Sequence, residues 1–379
     1  MIPYGHQSVD DHDVEAVVDV LRSAYLTQGQ VVPAFERALA ERCGADEGVA
    51  VSSGTAALHL ACAVLDIGPG DLVWTSPLTF VASANCALYC GADIDFVDIN
   101  AETGNLCPGK LAIKLENAAS KGRLPTAIIL VHYAGRPADR GNIAALAEEY
   151  GIALIEDAAH ALGAVDRLGV VGDGRTARLT TFSFHPVKAV TTGEGGLLTT
   201  NDSALAARLR RLRSHGVERE TSALTVDKPG DWYYEQQELG FNYRMTDIQA
   251  ALGLSQLGRL DQFVERRREL AARYHERMRD LPVGLPPIDP ENQSSWHLYV
   301  IQVEERARVF AALREVGIGV QVHYIPVHLH PYYRKRFGFC DGDFPVAERF
   351  YQKAISLPLY PDLTNEQQDL VIATLERLV

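Results

Sequence analysis

The chain has 379 residues, 47% of them hydrophobic and 22% charged, with a formal net charge of −13 and a pI near 5.4. That length exceeds one compact core, so two domains, or one large domain with an appendage, are expected of an otherwise ordinary globular composition. The acidic balance argues against a nucleic-acid or anionic-membrane surface, because phosphate backbones select for spread positive charge, but it leaves room for an anionic small ligand held by a few local donors.

The N-terminal "MIPYGHQSVDDHDVEAV" has no basic start followed by an apolar run, so no secretory signal is expected there. No stretch approaches the roughly 18 apolar residues of a membrane helix. The six cysteines (Cys43, Cys62, Cys86, Cys90, Cys107, Cys340) include no C-x-x-C pair and several lie in apolar or helical contexts, which points to reduced thiols and a cytoplasmic location.

From about residue 46 to 200, short apolar runs alternate with helical patterns. "GVAVSS" precedes "TAALHLACAVL", and "LVWTSP" precedes "TFVASANCALYCGA". "DIDFVDI", "TAIILVHYAG", the helix-like "NIAALAEEYG", "IALIEDAAH", "LTTFSFH" and "GGLLTT" follow. Apolar strands separated by helices predict a mostly parallel sheet covered on both faces, an α/β fold. The spacing of apolar residues over 246–278 predicts one long helix. "DLPVGLPPIDPENQSS" then breaks the pattern with four prolines, and the remaining runs suit a smaller α+β unit. The expected division is a large domain over 1–250, with an N-terminal arm, and a smaller one over 251–379, joined by the long helix.

In parallel sheets, ligands gather beyond the carboxyl ends of the strands. Three such ends stand out. In "VSSGTAAL" a strand gives way to Gly54, Thr55 and a helix, a place where free amides and the helix dipole can cradle a phosphate. Ser and Thr are also the usual helix caps, so an ordinary capped helix is the competing reading. In "IEDAAHALGA", Asp157 follows an apolar run where a buried acid needs a cationic partner, such as a protonated ring nitrogen. A plain N-cap aspartate is the alternative. His160, one helical turn on, can face the same ligand. In "FSFHPVKAVTTGEGGLLTT", Ser183 and Lys188 reach the same edge. Lys188 would be an amine for Schiff-base chemistry if desolvation lowers its pKa, against the ordinary reading of a surface lysine. Phe80, in "SPLTF", could stack on a ring face. A phosphate cradle, an acid for a ring nitrogen and an amine are jointly what pyridoxal phosphate requires.

These segments, with "VLRSAYLTQGQVVPAFERALAERCGA", "RLRSHG" and "FNYRMTDIQAALGLSQL", match in order and approximate spacing the DegT/StrS-type pyridoxal-phosphate aminotransferases of nucleotide-sugar biosynthesis, which the chain resembles nearly end to end. The resemblance implies a fold-type I architecture. It implies that Lys188 holds the cofactor covalently and moves protons, that Asp157 pairs with the pyridinium nitrogen, and that His160 sits against the ring or its phenolic oxygen. Phe80 takes the stacking position, and Gly54, Thr55 and Ser183 bind the phosphate. Asn242 would reach the phosphate held by a neighbouring subunit, making a homodimer part of the site. Gln28, His323 and Tyr324 fall in substrate-side segments.

Within the family, "MIPYG", "SFHPVKAVTTGEGG" and "QVHYIPVH" are most similar to the aminotransferases of the pseudaminic acid pathway. That implies transfer from L-glutamate to C4 of a UDP-linked 2-acetamido-2,6-dideoxy-4-keto-hexose. Another UDP- or dTDP-linked keto-sugar is the nearest alternative. A sugar dehydratase of this type would carry histidine in place of Lys188, and a non-catalytic sensor would not need the full set of residues. A metal enzyme built on His323, His328 and His330 is disfavoured, since H-x4-H-x-H is not a recognised ligand spacing, and no glycine fingerprint supports a dehydrogenase.

Overall fold

A computed structural model describes all 379 residues. Helices α1 (Asp11–Arg22) and α2 (Val31–Cys43) lead into β1 (Glu47–Val51). Elements then alternate as α3 (Gly54–Val64), β2 (Leu72–Thr75), α4 (Ala82–Tyr89), β3 (Asp93–Phe96), α5 (Pro108–Ser120), β4 (Ala127–Val131), α6 (Arg140–Glu149) and β5 (Ala153–Asp157). β6 (Leu179–Ser183) and β7 (Gly196–Thr200) complete a seven-stranded sheet in the order β1-β7-β6-β5-β4-β2-β3. Only β7 runs antiparallel to its neighbours. The expected mostly parallel α/β sheet is therefore what forms.

Strand residues alternate between two buried faces. On β4, Ile129 packs with Leu58, Val73 and Ile94 under α3 and α4, while Ile128 and Leu130 pack with Trp74, Leu111 and Ile143 under α5 and α6. Because both faces are covered, the carboxyl ends of the strands are where side chains meet open space.

After α7 (Ser203–Leu212), the periodic stretch 246–278 is two helices rather than one. α8 (Asp247–Leu257) ends at Gly258 and α9 (Leu260–Met278) begins after Arg259. The apolar spacing continues across the break, so periodicity alone hid it. The expected joining helix is corrected to a broken pair. Beyond it lie β8 (Tyr299–Gln302), α10 (Arg306–Glu315), α11 (Pro331–Phe337), α12 (Pro345–Lys353), β9 (Ala354–Leu357) and α13 (Asn365–Glu376). β8 and β9 pair antiparallel, and their Tyr299, Ile301, Ile355 and Leu357 share a core with Leu270, Leu313 and Leu375. Ile2 joins that core and bridges to Ile318, so the N-terminal arm packs against the C-terminal part of the chain. No helix is long and apolar enough to cross a membrane.

Candidate active site

The strand ends open onto a cavity of about 430 Å³. Gly54, Thr55, Phe80, Asp157, His160, Ser183, Lys188, His323 and Tyr324 all line it. Gln28 and Asn242 do not. Both are exposed, and they share a strip of surface where Thr27 pairs with Thr246, just past Asn242, and Asp247 accepts the Gly29, Val31 and Val32 amides.

Local chemistry explains each placement. Ser53 caps α3 by accepting the Ala56 amide at 3.1 Å, and Gly54 and Thr55, whose first-turn amides have no intrahelical acceptors, line the cavity. A Cβ at Gly54 would lie 2.8 Å from that of Ser183, so glycine is what lets the α3 turn and the end of β6 approach. Asp157 ends β5 and is buried; its Oδ1 accepts the Ala159 amide at 3.1 Å.

Lys188 sits in the loop after β6, half-buried, with its backbone amide bound to the His185 carbonyl. Burial pushes its ammonium down to about 8, with the Asp157 carboxylate pulling the other way. His160 donates to or accepts from the Tyr324 hydroxyl through Nε2 at 3.0 Å. Burial, then the charges of Lys188 and His323, holds His160 well below the usual histidine range, so its ring is neutral. His323 pairs through Nδ1 with the Ser356 hydroxyl at 2.8 Å, and burial followed by Lys188 takes it down to about 3.

A model of the DegT/DnrJ/EryC1/StrS aminotransferase family matches residues 7–376. The chain belongs to this family. It is 40% identical, over 100% of its length and 97% of the relative's, to the spore coat polysaccharide biosynthesis protein SpsC of Bacillus subtilis. It is 36% identical to the UDP-4-amino-4,6-dideoxy-N-acetyl-beta-L-altrosamine transaminase of Campylobacter jejuni, covering 99% of this chain and 96% of that one. Among solved structures it is similar to Helicobacter pylori PseC, an aminotransferase involved in the biosynthesis of pseudoaminic acid, with TM-score 0.90, 32% identity and 99% and 98% of the two chains covered. The putative sugar aminotransferase Spr1654 of Streptococcus pneumoniae, in its PMP form, gives TM-score 0.92 with 30% identity over 100% and 99%.

The chain is thus an aminotransferase, and pyridoxal phosphate is the cofactor of its family. The residues present fit that group. The cradle at Gly54 is shaped by the absence of a Cβ, Phe80 presents an aromatic face that is 56% exposed at the cavity, and the buried Nδ1 atoms of His160 and His297 have no protein partner.

Several cavity residues escaped the sequence reading. Tyr4 arrives on the N-terminal arm, 5.4 Å from the His323 ring, and His297 lies 4.3 Å from the His160 ring. Thr79 and Ser83 stand behind Asp157. His185 and Glu194 flank Lys188 in the quoted stretch and could have been included on position alone. A Cβ at Gly196 would lie 2.4 Å from the Ser53 carbonyl, so Gly196 lets β7 pass directly under the cap of α3. Of the histidines weighed as metal ligands, His323 lines the cavity whereas His328 is buried against Glu348 at 3.0 Å.

Proposed function

We propose that this aminotransferase moves the amino group of L-glutamate to C4 of a UDP-linked 2-acetamido-2,6-dideoxy-4-keto-hexose. The observation that carries the catalytic part is Lys188, an amine pushed down by burial to about 8 at the same cavity edge as Asp157. The choice of sugar is supported by the likeness to the Campylobacter transaminase and to PseC.

When bound, pyridoxal phosphate supplies an aldehyde that amines attack and a ring that takes up an electron pair. Lys188 Nζ, whose ammonium is destabilised by burial, would be the amine that holds the cofactor and the base that moves a proton at the substrate carbon. Asp157 is the acceptor for the ring nitrogen's proton. Gly54, Thr55 and Ser183 would hold the phosphate, and Phe80 would pack against the ring. His160, neutral and braced by Tyr324, addresses the ring's polar edge. His323 and Tyr324 bound the substrate side, with Gln28 assigned there too. Asn242 lies outside its own chain's cavity, which supports the reading that it serves the site of a second copy in a homodimer.

The deciding experiment offers glutamate and a panel of UDP- and dTDP-linked 4-keto sugars to the purified protein and identifies the amino sugar and its C4 configuration. Product from the UDP-linked 2-acetamido sugar alone is expected; product only from another sugar would replace the substrate, and none from any would sink the reading. Lys188→Ala is expected to lower turnover by roughly 10⁴-fold or more and to remove the visible absorbance of the covalently held cofactor.

A further inference from the structure

Asp157 is held by donors on both carboxylate oxygens. Oδ1 accepts the Ala159 amide at 3.1 Å, and Oδ2 accepts the Ser83 hydroxyl at 2.7 Å, its one protein hydrogen bond. A serine hydroxyl has a single proton, and this one goes to the carboxylate. The 2.7 Å contact between Thr79 Oγ1 and Ser83 Oγ must therefore be donated by Thr79. The donors run in one direction, from Thr79 to Ser83 to Asp157. Thr79 lies just before α4 and Ser83 in its first turn, and both are buried while lining the cavity.

We propose that Ser83, backed by Thr79, is a positioning residue that fixes the Asp157 carboxylate as an acceptor for the protonated ring nitrogen of the cofactor. This rests on the reading of Asp157 given above. A hydroxyl donating to a buried carboxylate belongs to the strong, charge-assisted class of hydrogen bond, and its loss leaves a desolvated oxygen unmatched. The other groups around Asp157 do not replace it. Lys188, from the loop after β6, and Tyr324, from beyond β8, feel its charge, but neither hydrogen-bonds to it. β4 offers only the His132 amide, to the Asp157 backbone carbonyl at 3.1 Å, and Glu156 turns to the opposite face. Ser83 thus sets where the carboxylate points.

The test is Ser83→Ala in the full-length holoenzyme, read by the ¹⁵N resonance of ring-labelled pyridoxal phosphate and by single-turnover rates with glutamate across pH. The ring nitrogen is expected to give up its proton at a pH lower by roughly one to two units, because a carboxylate freed from Ser83 is no longer held in line with it. The rate should fall roughly tenfold to a hundredfold on the alkaline side, with glutamate affinity unchanged. Thr79→Val, which removes only the outer donor, should move both readouts the same way by about threefold, and it serves if Ser83→Ala does not fold. An unmoved ¹⁵N resonance overturns the inference even if the rate drops, because a merely structural residue would lower the rate without it. Asp157→Asn separates this from the reading beneath. If that variant also leaves the nitrogen unmoved, Asp157 is not its partner and the site reading fails; if it moves the nitrogen while Ser83→Ala does not, only the role of Ser83 falls.

Discussion

Glu156 and Asp157 are consecutive buried carboxylates at the end of one strand, and the protein treats them in opposite ways. Glu156 Oε1 accepts the Thr176 hydroxyl at 2.6 Å and Oε2 the Thr180 hydroxyl at 3.2 Å; His132 Nε2 lies 3.5 Å away and Arg140 Nη1 3.9 Å. Burial works to raise its pKa, but nearby His132, then Arg140 and Thr176, outweigh it and hold the carboxyl below its ordinary range. Arg140 is in turn shared with Asp166 and Asp173. Asp157, on the other side of the same strand, has one hydroxyl and one amide, and faces a cavity with Lys188. Strand geometry sends neighbouring side chains to opposite faces. On the closed face the protein surrounds a buried charge with its own hydroxyls and cations. On the open face it supplies some partners and leaves one direction for a ligand.

Removing each charge in turn would break or sharpen this contrast. Asp157→Asn, nearly isosteric, is expected to lower glutamate-dependent turnover on the order of a thousandfold while leaving unfolding by urea close to that of the parent protein. Glu156→Gln should do the reverse. It leaves His132 and Arg140 buried with a weaker partner and is expected to cost about 3 kcal/mol of stability, read from the urea midpoint, with turnover of the folded fraction within a few-fold. If Glu156→Gln cut turnover as deeply as Asp157→Asn under conditions where both are folded, the two acids would belong to one functional unit and the contrast would be wrong.

Much of the open face was legible because each part directly follows an apolar run. Asp157 ends the run of β5, Ser183 that of β6, and Gly54 and Thr55 follow β1; a parallel sheet then brings these ends to one edge whatever the loops between them do. Ser83 was not legible, because its partner lies 74 residues away and nothing in "ASANC" distinguishes a donor to a carboxylate from an ordinary helix serine. Tyr4 and His297 were missed for a related reason. They reach the cavity through tertiary packing: Tyr4 because its carbonyl accepts the Leu359 amide and Ile2 joins the C-terminal core, His297 because the proline-broken segment returns to the sheet edge at Ser295, which bonds to the His160 carbonyl at 2.9 Å. The helix break at Gly258 was hidden because apolar residues keep their spacing across it. Periodicity reports which face is buried, not whether the axis is continuous.

The smallest expected effect concerns Lys188 and has an unusual sign. In the cofactor-free protein, burial takes this lysine from 10.5 to about 8 despite the opposing pull of Asp157. A lysine that binds its proton more weakly when folded penalises the native state wherever it must be charged. Between pH 8 and 10.5 the unfolded chain holds more protons than the native one, so stability rises with pH across that window; below 8 the penalty is at its full value. The drop from 10.5 to about 8 corresponds to an upper limit of about 3 kcal/mol. Lys188→Met, similar in length and uncharged, should therefore stabilise the cofactor-free protein by about 2 kcal/mol at neutral pH while abolishing turnover. The gain should shrink toward zero as the pH climbs to 10.5, which urea unfolding at neutral and alkaline pH would show. A variant no more stable than the parent at neutral pH would mean that water in the cavity already solvates the amine. Lys188 would then owe its chemistry to the cofactor alone, and the open face would hold no charge under strain.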